Sequence, residues 1–260
     1  MEKKMITDDS LSMHKNTPII IIGCVTAGIL LIGACVALLS GMGLLLFVNQ
    51  AVSHEAALAP TPTPCPSVPV NWTIILNENF VSNTNNWPIG EGSGAYVDST
   101  LHIEQEKLLF KATANQAAYV YSTPEMQRVG DFYLTTNIQQ TDGSHDSYYG
   151  VVIRAQNWNH YFFAISDFQD FVIKKRKDST GWVNTMYAAR DFSIKPGQLN
   201  KLTVLAIGEN LAFCINDDLV IEIKDKDFET GITGIGILLS KKGDQATLEY
   251  SNYKVYAPKE

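Results

Sequence analysis

Residues 148–177 read YYGVVIRAQNWNHYFFAISDFQDFVIKKRK and fall into three short runs rich in Val, Ile, Phe and Tyr. Polar clusters around Asn157 and Asp167 separate these runs. β-Branched and aromatic residues favour strands, whereas Asn, Asp and Gly suit the turns between strands. The same texture extends over residues 71–257, with a turn cluster about every eight to twelve residues. It predicts an antiparallel sandwich or barrel.

Individual strands and turns follow from the same alternation. Leu211, Phe213 and Ile215 lead into Asn216-Asp217-Asp218, a tight hairpin turn whose residues tolerate positive φ. Ser251-Asn252 interrupts the closing strand and indicates a bulge. The chain holds roughly a dozen such strands, too many for one flat sheet, so we expect two packed sheets.

The order of several short motifs resembles that of concanavalin A-like, laminin-G-like jelly-roll domains of bacterial surface proteins. Tyr149-Gly150 through Arg154, followed by Asn159 to Phe163, is similar to the "YGxxxR…NxYxF" hairpin of that family. The other matching segments are Phe80 to Trp87, Asn200 to Val204, Asn210 to Ile223, Gly231 to Gly236 and Asn252 to Val255. Some members of the family are 3-keto-disaccharide hydrolase-like. The resemblance implies a jelly-roll sandwich, and such folds serve lectins, glucanases and plain interaction modules alike.

The N-terminal part has a different organisation. Residues 19–48 contain no charged side chain. This uncharged stretch is long enough for a membrane-spanning helix. The basic residues Lys3, Lys4 and Lys15 precede this segment, and the next one is Lys107. The positive-inside rule therefore predicts a cell-membrane protein with a cytoplasmic tail at 1–18 and everything after the helix extracytoplasmic. Residues 49–70 form a Pro/Thr-rich linker, whose alternating prolines favour an extended spacer.

Alternatives to an uncleaved anchor remain open. Ala57-Leu58-Ala59 resembles a signal-peptidase site, although Pro60 follows directly. Ile32 to Cys35 resembles a lipoprotein box, although the residues after it stay apolar. Gly33, Ala37 and Gly41 share one helix face, so self-association through the helix is a further prediction.

Cysteines and acidic residues give weaker indications. Cys65 lies in the linker and Cys214 in the domain, too few for a disulfide framework. We expect either an unpaired thiol or an intermolecular bridge through Cys65. No metal is predicted from ligand spacing, but Asp side chains in turns could hold a structural calcium ion. These are Asp142, Asp146, Asp167, Asp170, Asp217 and Asp218.

The sequence offers little for catalysis or nucleic acid. The nearest approach to a glycosidase carboxylate pair is Glu222 and Asp225, of which only Glu222 lies within a predicted strand. The histidines lack the spacing of a metal pair, and no serine lies in a nucleophile elbow. The net charge is −7, which disfavours nucleic acid as a partner. We expect no catalytic residue and no cofactor.

Aromatic and cationic side chains between 144 and 187 are the better candidates for a function. Sugars bind to aromatic plates with polar groups around them. The candidate ligand-binding residues are Tyr149, Arg154, Trp158, Tyr161, Lys174, Arg176 and Trp182. Strand alternation predicts Arg154 on the same outward face as Gly150, and Lys174 on the same face as Arg176. Core packing of Tyr149 and Tyr161, and a solvated edge at Lys174 to Lys177, are the alternatives.

Together these features predict a membrane-anchored, extracytoplasmic, non-catalytic module that binds carbohydrate at the cell surface. The first alternative is a structural or protein–protein interaction ectodomain. A glycoside hydrolase is the third.

Overall fold

The structure, a computed structural model, describes residues 6–7, 62–178, 181–182 and 185–259. Within these ranges every regular element is a β-strand, and no helix is long and apolar enough to cross a membrane. The predicted membrane helix at 19–48, the stripe of small residues within it and most of the linker lie outside the described residues.

The described strands form two antiparallel sheets, as the alternation predicted. Sheet A contains, in spatial order, β1 (Ile6–Thr7), β6 (Ala118–Ser122), β16 (Ile232–Leu239), β8 (Tyr148–Gln156), β9 (Asn159–Ile165), β10 (Asp170–Lys177) and β11 (Gly181–Trp182), with β12 (Tyr187–Arg190) also paired to β10. Sheet B contains β15 (Asp218–Lys224), β14 (Asn210–Ile215), β13 (Asn200–Ile207), β7 (Phe132–Gly143), β17 (Gln245–Pro258), β5 (Lys107–Ala114), β4 (Val97–Glu104) and β3 (Gly90–Ser93), with β2 (Trp72–Glu78) also paired to β17.

One large hydrophobic core lies between the sheets. On β7, Phe132, Leu134 and Ile138 point inward and are fully buried, as a period of two requires. Trp87 also belongs to this core, and its indole Nε1 donates a hydrogen bond to Glu78 Oε1 at 3.1 Å. Burial of this apolar area is the main stabilising contribution to the sandwich.

Two predicted turn features are confirmed. Asn216 and Asp217 both have positive φ, 51° and 72°, so the β14–β15 hairpin closes through a turn whose twist matches that of the strands. Asn252 has a φ of 53°, and the pairing of β17 with β7 shifts register between Ser251 and Lys254. The closing strand therefore bulges where the sequence indicated it.

The expectation for Cys65 is wrong, because Cys65 forms an intramolecular disulfide with Cys214 on β14. Backbone hydrogen bonds hold this part of the linker against the β14–β15 turn. Cys65 N donates to Asp217 O at 2.8 Å, and Leu219 N donates to Thr63 O at 2.8 Å. The C-terminal end of the linker is thus part of the folded domain and not a free spacer.

Candidate functional site

A second apolar cluster covers the outer face of sheet A, the face turned away from sheet B. Its buried members are Tyr119, Tyr121, Val152, Ala155, Phe162, Ala164, Val172 and Leu238, with half-buried Tyr148, Trp158 and Ile232 packed against them. All of them come from the strands of sheet A or from the β8–β9 turn. We call this set the outer aromatic cluster. The outer face of sheet A thus carries an apolar cluster that is packed and largely buried.

The rings at the centre of the outer aromatic cluster are held in a fixed arrangement. Tyr119 stacks on His160 with ring centroids 5.5 Å apart and on Tyr121 at 5.7 Å. Tyr121 meets Trp158 edge-on at 5.7 Å, and its hydroxyl donates to Asn157 O at 2.8 Å. Such contacts orient the rings before any ligand arrives, which lowers the entropy cost of binding.

A glycine allows this packing. At Gly236 on β16, an added Cβ would lie 3.0 Å from Phe162 Cε2 and 3.2 Å from the Tyr119 hydroxyl. The two rings therefore lie directly over a position that carries no side chain. A side chain at position 236 would therefore displace one of the two rings.

Two cations border the aromatic rings. The guanidinium carbon of Arg176 lies 4.6 Å from the Trp158 ring centroid, a cation–π contact. Lys174 Nζ donates to Thr185 Oγ1 at 3.1 Å, and burial lowers the pKa of Lys174. Lys174 and Arg176 on β10 pair with Phe162 and His160 on β9, respectively. The two cations therefore lie on the same face of the strand, as predicted.

The structure brings together only part of the predicted candidate set. Trp158, Lys174 and Arg176 lie at one end of sheet A, and the backbone of Trp182 on β11 pairs with that of Arg176. The side chain of Trp182 lies outside the described residues. Tyr149 and Tyr161 point into the core instead. Their hydroxyls donate to Asp167 at 2.6 Å and to Asp225 at 2.5 Å.

The outward orientation predicted for Arg154 is wrong. Arg154 is 1% exposed, and its guanidinium donates to the carbonyls of Phe228, Gly130 and Gly208 at 2.7–3.0 Å. The cause is a bulge, because β8 changes register against β9 between Ile153 and Gln156 and Arg154 adopts a φ of 51°. One shifted residue moves a side chain to the other face of a sheet.

Sequence reasoning missed two members of this face, Tyr119 and Tyr121, whereas Tyr148 and His160 lie within the 144–187 stretch that it singled out, although outside the final candidate set. The signal for the first two was present, because Ala118–Ser122 alternates tyrosine with small or apolar residues. Tyrosines at every second position of a short strand share a face. Recognising that this face points outward required knowledge of which sheet β6 joins.

His160 provides a test of how deeply the cluster is buried. Burial, with the neighbouring Arg176 charge, lowers the pKa of His160 to about 3. In the unfolded chain the histidine pKa is about 6.5, so the unfolded state binds a proton at this ring more tightly than the folded state, and the free energy of unfolding decreases as the pH falls below that value. We expect acidification from pH 7 to pH 5 to lower the free energy of unfolding by about 2 kcal/mol more in the wild type than in His160→Phe, measured by urea titration. Parallel pH profiles for the two proteins would contradict a buried, neutral His160.

The predicted calcium ligands do not converge. Asp146 bonds Lys241 at 3.0 Å, Asp170 bonds Arg190 at 3.3 Å and Asp217 bonds Lys201 at 2.7 Å. Within the described ranges, no three acidic, histidine or cysteine side chains lie close enough together to hold a metal ion. Each of these three aspartates has a cation as its partner.

The outer face also bears on catalysis. A retaining glycosidase needs two carboxyl groups about 5–5.5 Å apart. Along the outward positions of β6, β8, β9, β10 and β16, the described residues include one carboxylate, Asp170 at the start of β10, and it pairs with Arg190. Among the described outward residues of these strands, no second carboxylate faces Asp170 across the aromatic cluster.

The two antiparallel sheets, with β2 and the last strand β17 paired in sheet B, define a concanavalin A-like jelly-roll sandwich. Solved structures of this fold resemble the chain. The laminarinase catalytic domain from Thermotoga petrophila is 8% identical with a TM-score of 0.53, over 73% of this chain and 99% of that one. The β-glucanase of Bacillus licheniformis is 8% identical with a TM-score of 0.52, over 71% and 98%. A protein with a galectin-like fold from Bacillus subtilis is 9% identical with a TM-score of 0.54, over 72% and 100%.

These similarities establish the fold. No protein-family model and no curated protein matches the sequence, so the resemblance to 3-keto-disaccharide hydrolase-like domains stays a prediction.

Proposed function

We propose that this protein is a non-catalytic carbohydrate-binding module, anchored in the cell membrane by residues 19–48 and displayed on the extracytoplasmic side. The observation that carries the proposal is the outer aromatic cluster, bordered by Lys174 and Arg176. Rings with fixed geometry and a few polar groups beside them are what a saccharide requires of its binding surface.

The ligand would first meet the border of the cluster. Trp158, Tyr148 and Lys174 are half-buried, whereas Tyr119, His160 and Phe162 beneath them are fully buried. Trp158 supplies an apolar ring for the C–H face of a sugar, while Lys174 supplies a polar group for its hydroxyls. The buried rings hold Trp158 in position through Tyr121.

Two observations support an extracytoplasmic location. The Cys65–Cys214 disulfide suits an oxidising compartment, because reducing systems keep most cytosolic thiols free. The lysines before residue 19, and the absence of basic residues from 49 to 106, favour the same orientation. The membrane anchor itself is proposed from the uncharged stretch at 19–48.

The fold is compatible with sugar recognition. Two of the similar solved structures are named a laminarinase and a β-glucanase, and a third is described as galectin-like. Shared fold alone does not carry activity across. The absence of a second carboxylate among the described outward positions of sheet A favours binding over hydrolysis here.

Trp158→Ala should weaken polysaccharide binding by about 1 kcal/mol or more, because it removes the half-buried ring at the border of the cluster. The measurement is a binding screen of the full chain in neutral-lipid nanodiscs against neutral and acidic polysaccharides. The matched control is Tyr256→Ala, which removes a half-buried tyrosine from the outer face of sheet B, 6.0 Å from Tyr133.

Equal losses in both variants would contradict the assignment of the face. A well-folded protein that binds no polysaccharide of the panel would overturn the proposed function and favour an interaction ectodomain. Release of shortened saccharides from any polymer would favour the hydrolase alternative.

A further inference from the structure

A cavity of about 390 Å³ opens at one end of the sandwich, where the β8–β9 turn meets the connection from β15 to β16. Gln156 and Asn159 line it from the turn, and residues 226–230 line it from the connection. The buried Arg154 also lines it. Small-molecule sites in proteins have volumes of roughly 300–1,000 Å³, so this space, which we call the end cavity, is large enough for a small ligand.

The wall of the end cavity is fixed by contacts that exist without a ligand. Phe228 O accepts a hydrogen bond from Arg154 Nη1 at 2.8 Å, and Phe228 N donates to the Tyr161 hydroxyl at 3.4 Å. Gly231 and Val129 exchange two backbone hydrogen bonds, at 2.9 Å and 3.1 Å. A Cβ added to Gly231 would lie 2.2 Å from the carbonyl carbon of Arg154, so the connection lies tightly against β8. Because the wall is preformed, little conformational entropy is lost on binding.

The charges around the end cavity cancel. Its lining residues include two cations and two carboxylates: Arg154, Lys226, Asp227 and Glu229. Two further cations stand behind Asp227, because Lys175 and Lys177 form ion pairs with it. These are balanced by Asp225, which pairs with Lys175, and by Asp131, which acts on Arg154. The end cavity therefore suits an uncharged ligand better than an anion or a cation.

Several polar side chains of the cavity wall are free to bind such a ligand. Among the described residues, no hydrogen bond or ion pair engages the side chains of Gln156, Lys226, Glu229 and Thr230. They offer an amide, an ammonium, a carboxylate and a hydroxyl, and hence both donors and acceptors. The half-buried Phe228, whose ring centroid lies 4.9 Å from that of Tyr161, adds an aromatic residue to the lining. Hydroxyl groups and the C–H face of a sugar require this combination.

The end cavity adjoins the outer aromatic cluster. Trp158 lies in the β8–β9 turn between Gln156 and Asn159, which both line the cavity. Two residues of extended chain span at most about 7 Å, so the ring at the border of the cluster and the cavity wall lie close together. A saccharide of several sugar units can therefore contact both.

We propose that the end cavity is a second subsite of the saccharide-binding site and holds an uncharged sugar unit of a chain whose neighbouring units lie over Trp158. The inference rests on the proposed function and specifies its ligand class, which is an oligosaccharide or polysaccharide of neutral sugars that is recognised along its length. Two linked subsites give a long saccharide an affinity that a short one does not reach, because the second contact becomes intramolecular once the first has formed.

The test compares short and long saccharides of the same chemistry. The full chain in phosphatidylcholine nanodiscs is titrated calorimetrically with the disaccharide and the hexasaccharide of the laminari-, cello- and malto-oligosaccharide series. We expect the hexasaccharide of at least one series to bind roughly tenfold more tightly than its disaccharide.

Gln156→Ala and Glu229→Gln should each weaken binding of that hexasaccharide about fivefold, because each removes one contact of the second subsite. Both side chains are exposed, so the urea midpoints should equal that of the wild type. The matched control is Glu106→Gln, an exposed glutamate in the β4–β5 turn of sheet B, which should bind the hexasaccharide like the wild type.

The outcomes separate this inference from the proposed function. Hexasaccharide binding that Trp158→Ala weakens, but that both cavity variants leave unchanged, overturns the second subsite and leaves the proposed function standing. An equal loss of affinity in Glu106→Gln also overturns it, because the effect would then not depend on the end cavity. Failure of the wild type to bind any of these oligosaccharides, or any polysaccharide, overturns the proposed function itself.

Discussion

Breaking the Cys65–Cys214 disulfide is expected to lower the free energy of unfolding of the domain by about 2–5 kcal/mol. The bridge joins residues 149 positions apart. A cross-link that closes so long a loop removes much conformational freedom from the unfolded chain, and the chain-entropy model gives about 5 kcal/mol as its upper figure. A stable domain has only about 5–15 kcal/mol in total, so the loss would be a large fraction of it.

The bridge also keeps the linker on the fold. Without the bridge, residues 62–66 would be held by the backbone hydrogen bonds of residue 65 with Asp217 and of Leu219 with Thr63. We therefore expect the amides of residue 65 and Leu219 to exchange hydrogen faster in Cys65→Ser than in the wild type. Urea titration of Cys65→Ser and of reduced wild type should give the same lowered midpoint.

The matched control for the disulfide is the double variant Cys24→Ser, Cys35→Ser, which retains the bridge and should unfold like the wild type. A Cys65→Ser protein as stable as the oxidised wild type would contradict the intramolecular bridge. Formation of disulfide-linked dimers by the wild type on non-reducing gels would restore the intermolecular alternative.

Most of the fold follows from local patterns. Alternation on β7 placed Phe132, Leu134 and Ile138 on the core face, and turn chemistry at Asn216-Asp217 fixed a hairpin, because both signals act over a few neighbouring residues. The Cys65–Cys214 bridge had no local signal. It depends on how a proline-rich segment meets a strand 149 residues later, which only the assembled sheet determines.

The candidate site was predictable wherever strands are regular. On β10 the period of two correctly put Lys174 and Arg176 together. On β8 the same rule failed for Arg154, because a bulge after Ile153 shifts the register of the strand. A strict period of two does not predict such a shift. Tyr119 was missed for another reason. Its position in the outer aromatic cluster depends on which strand pairs with β6. That strand is β16, which lies more than a hundred residues later in the sequence.

The failure at Arg154 leads to the second large prediction. Arg154→Met should destabilise the domain by about 3–5 kcal/mol, because each carbonyl left without its donor costs about 1–3 kcal/mol. Its guanidinium binds the carbonyls of Phe228, Gly130 and Gly208, which come from three separate connections between strands. Methionine fills a similar volume but donates no hydrogen bond, so three carbonyl acceptors would lose their donor at once.

Arg176→Met on the outer face makes the same chemical change and separates the two roles of arginine in this domain. We expect it to reduce saccharide binding, whereas Arg154→Met should lower the urea midpoint strongly. The reverse result would contradict the orientation of both side chains. If Arg154→Met unfolded like the wild type yet bound no saccharide, Arg154 would have to contact the ligand, as its position in the "YGxxxR" motif had suggested. The three carbonyl contacts predict the opposite, because a guanidinium engaged by the connections between strands stabilises the frame that carries the outer aromatic cluster.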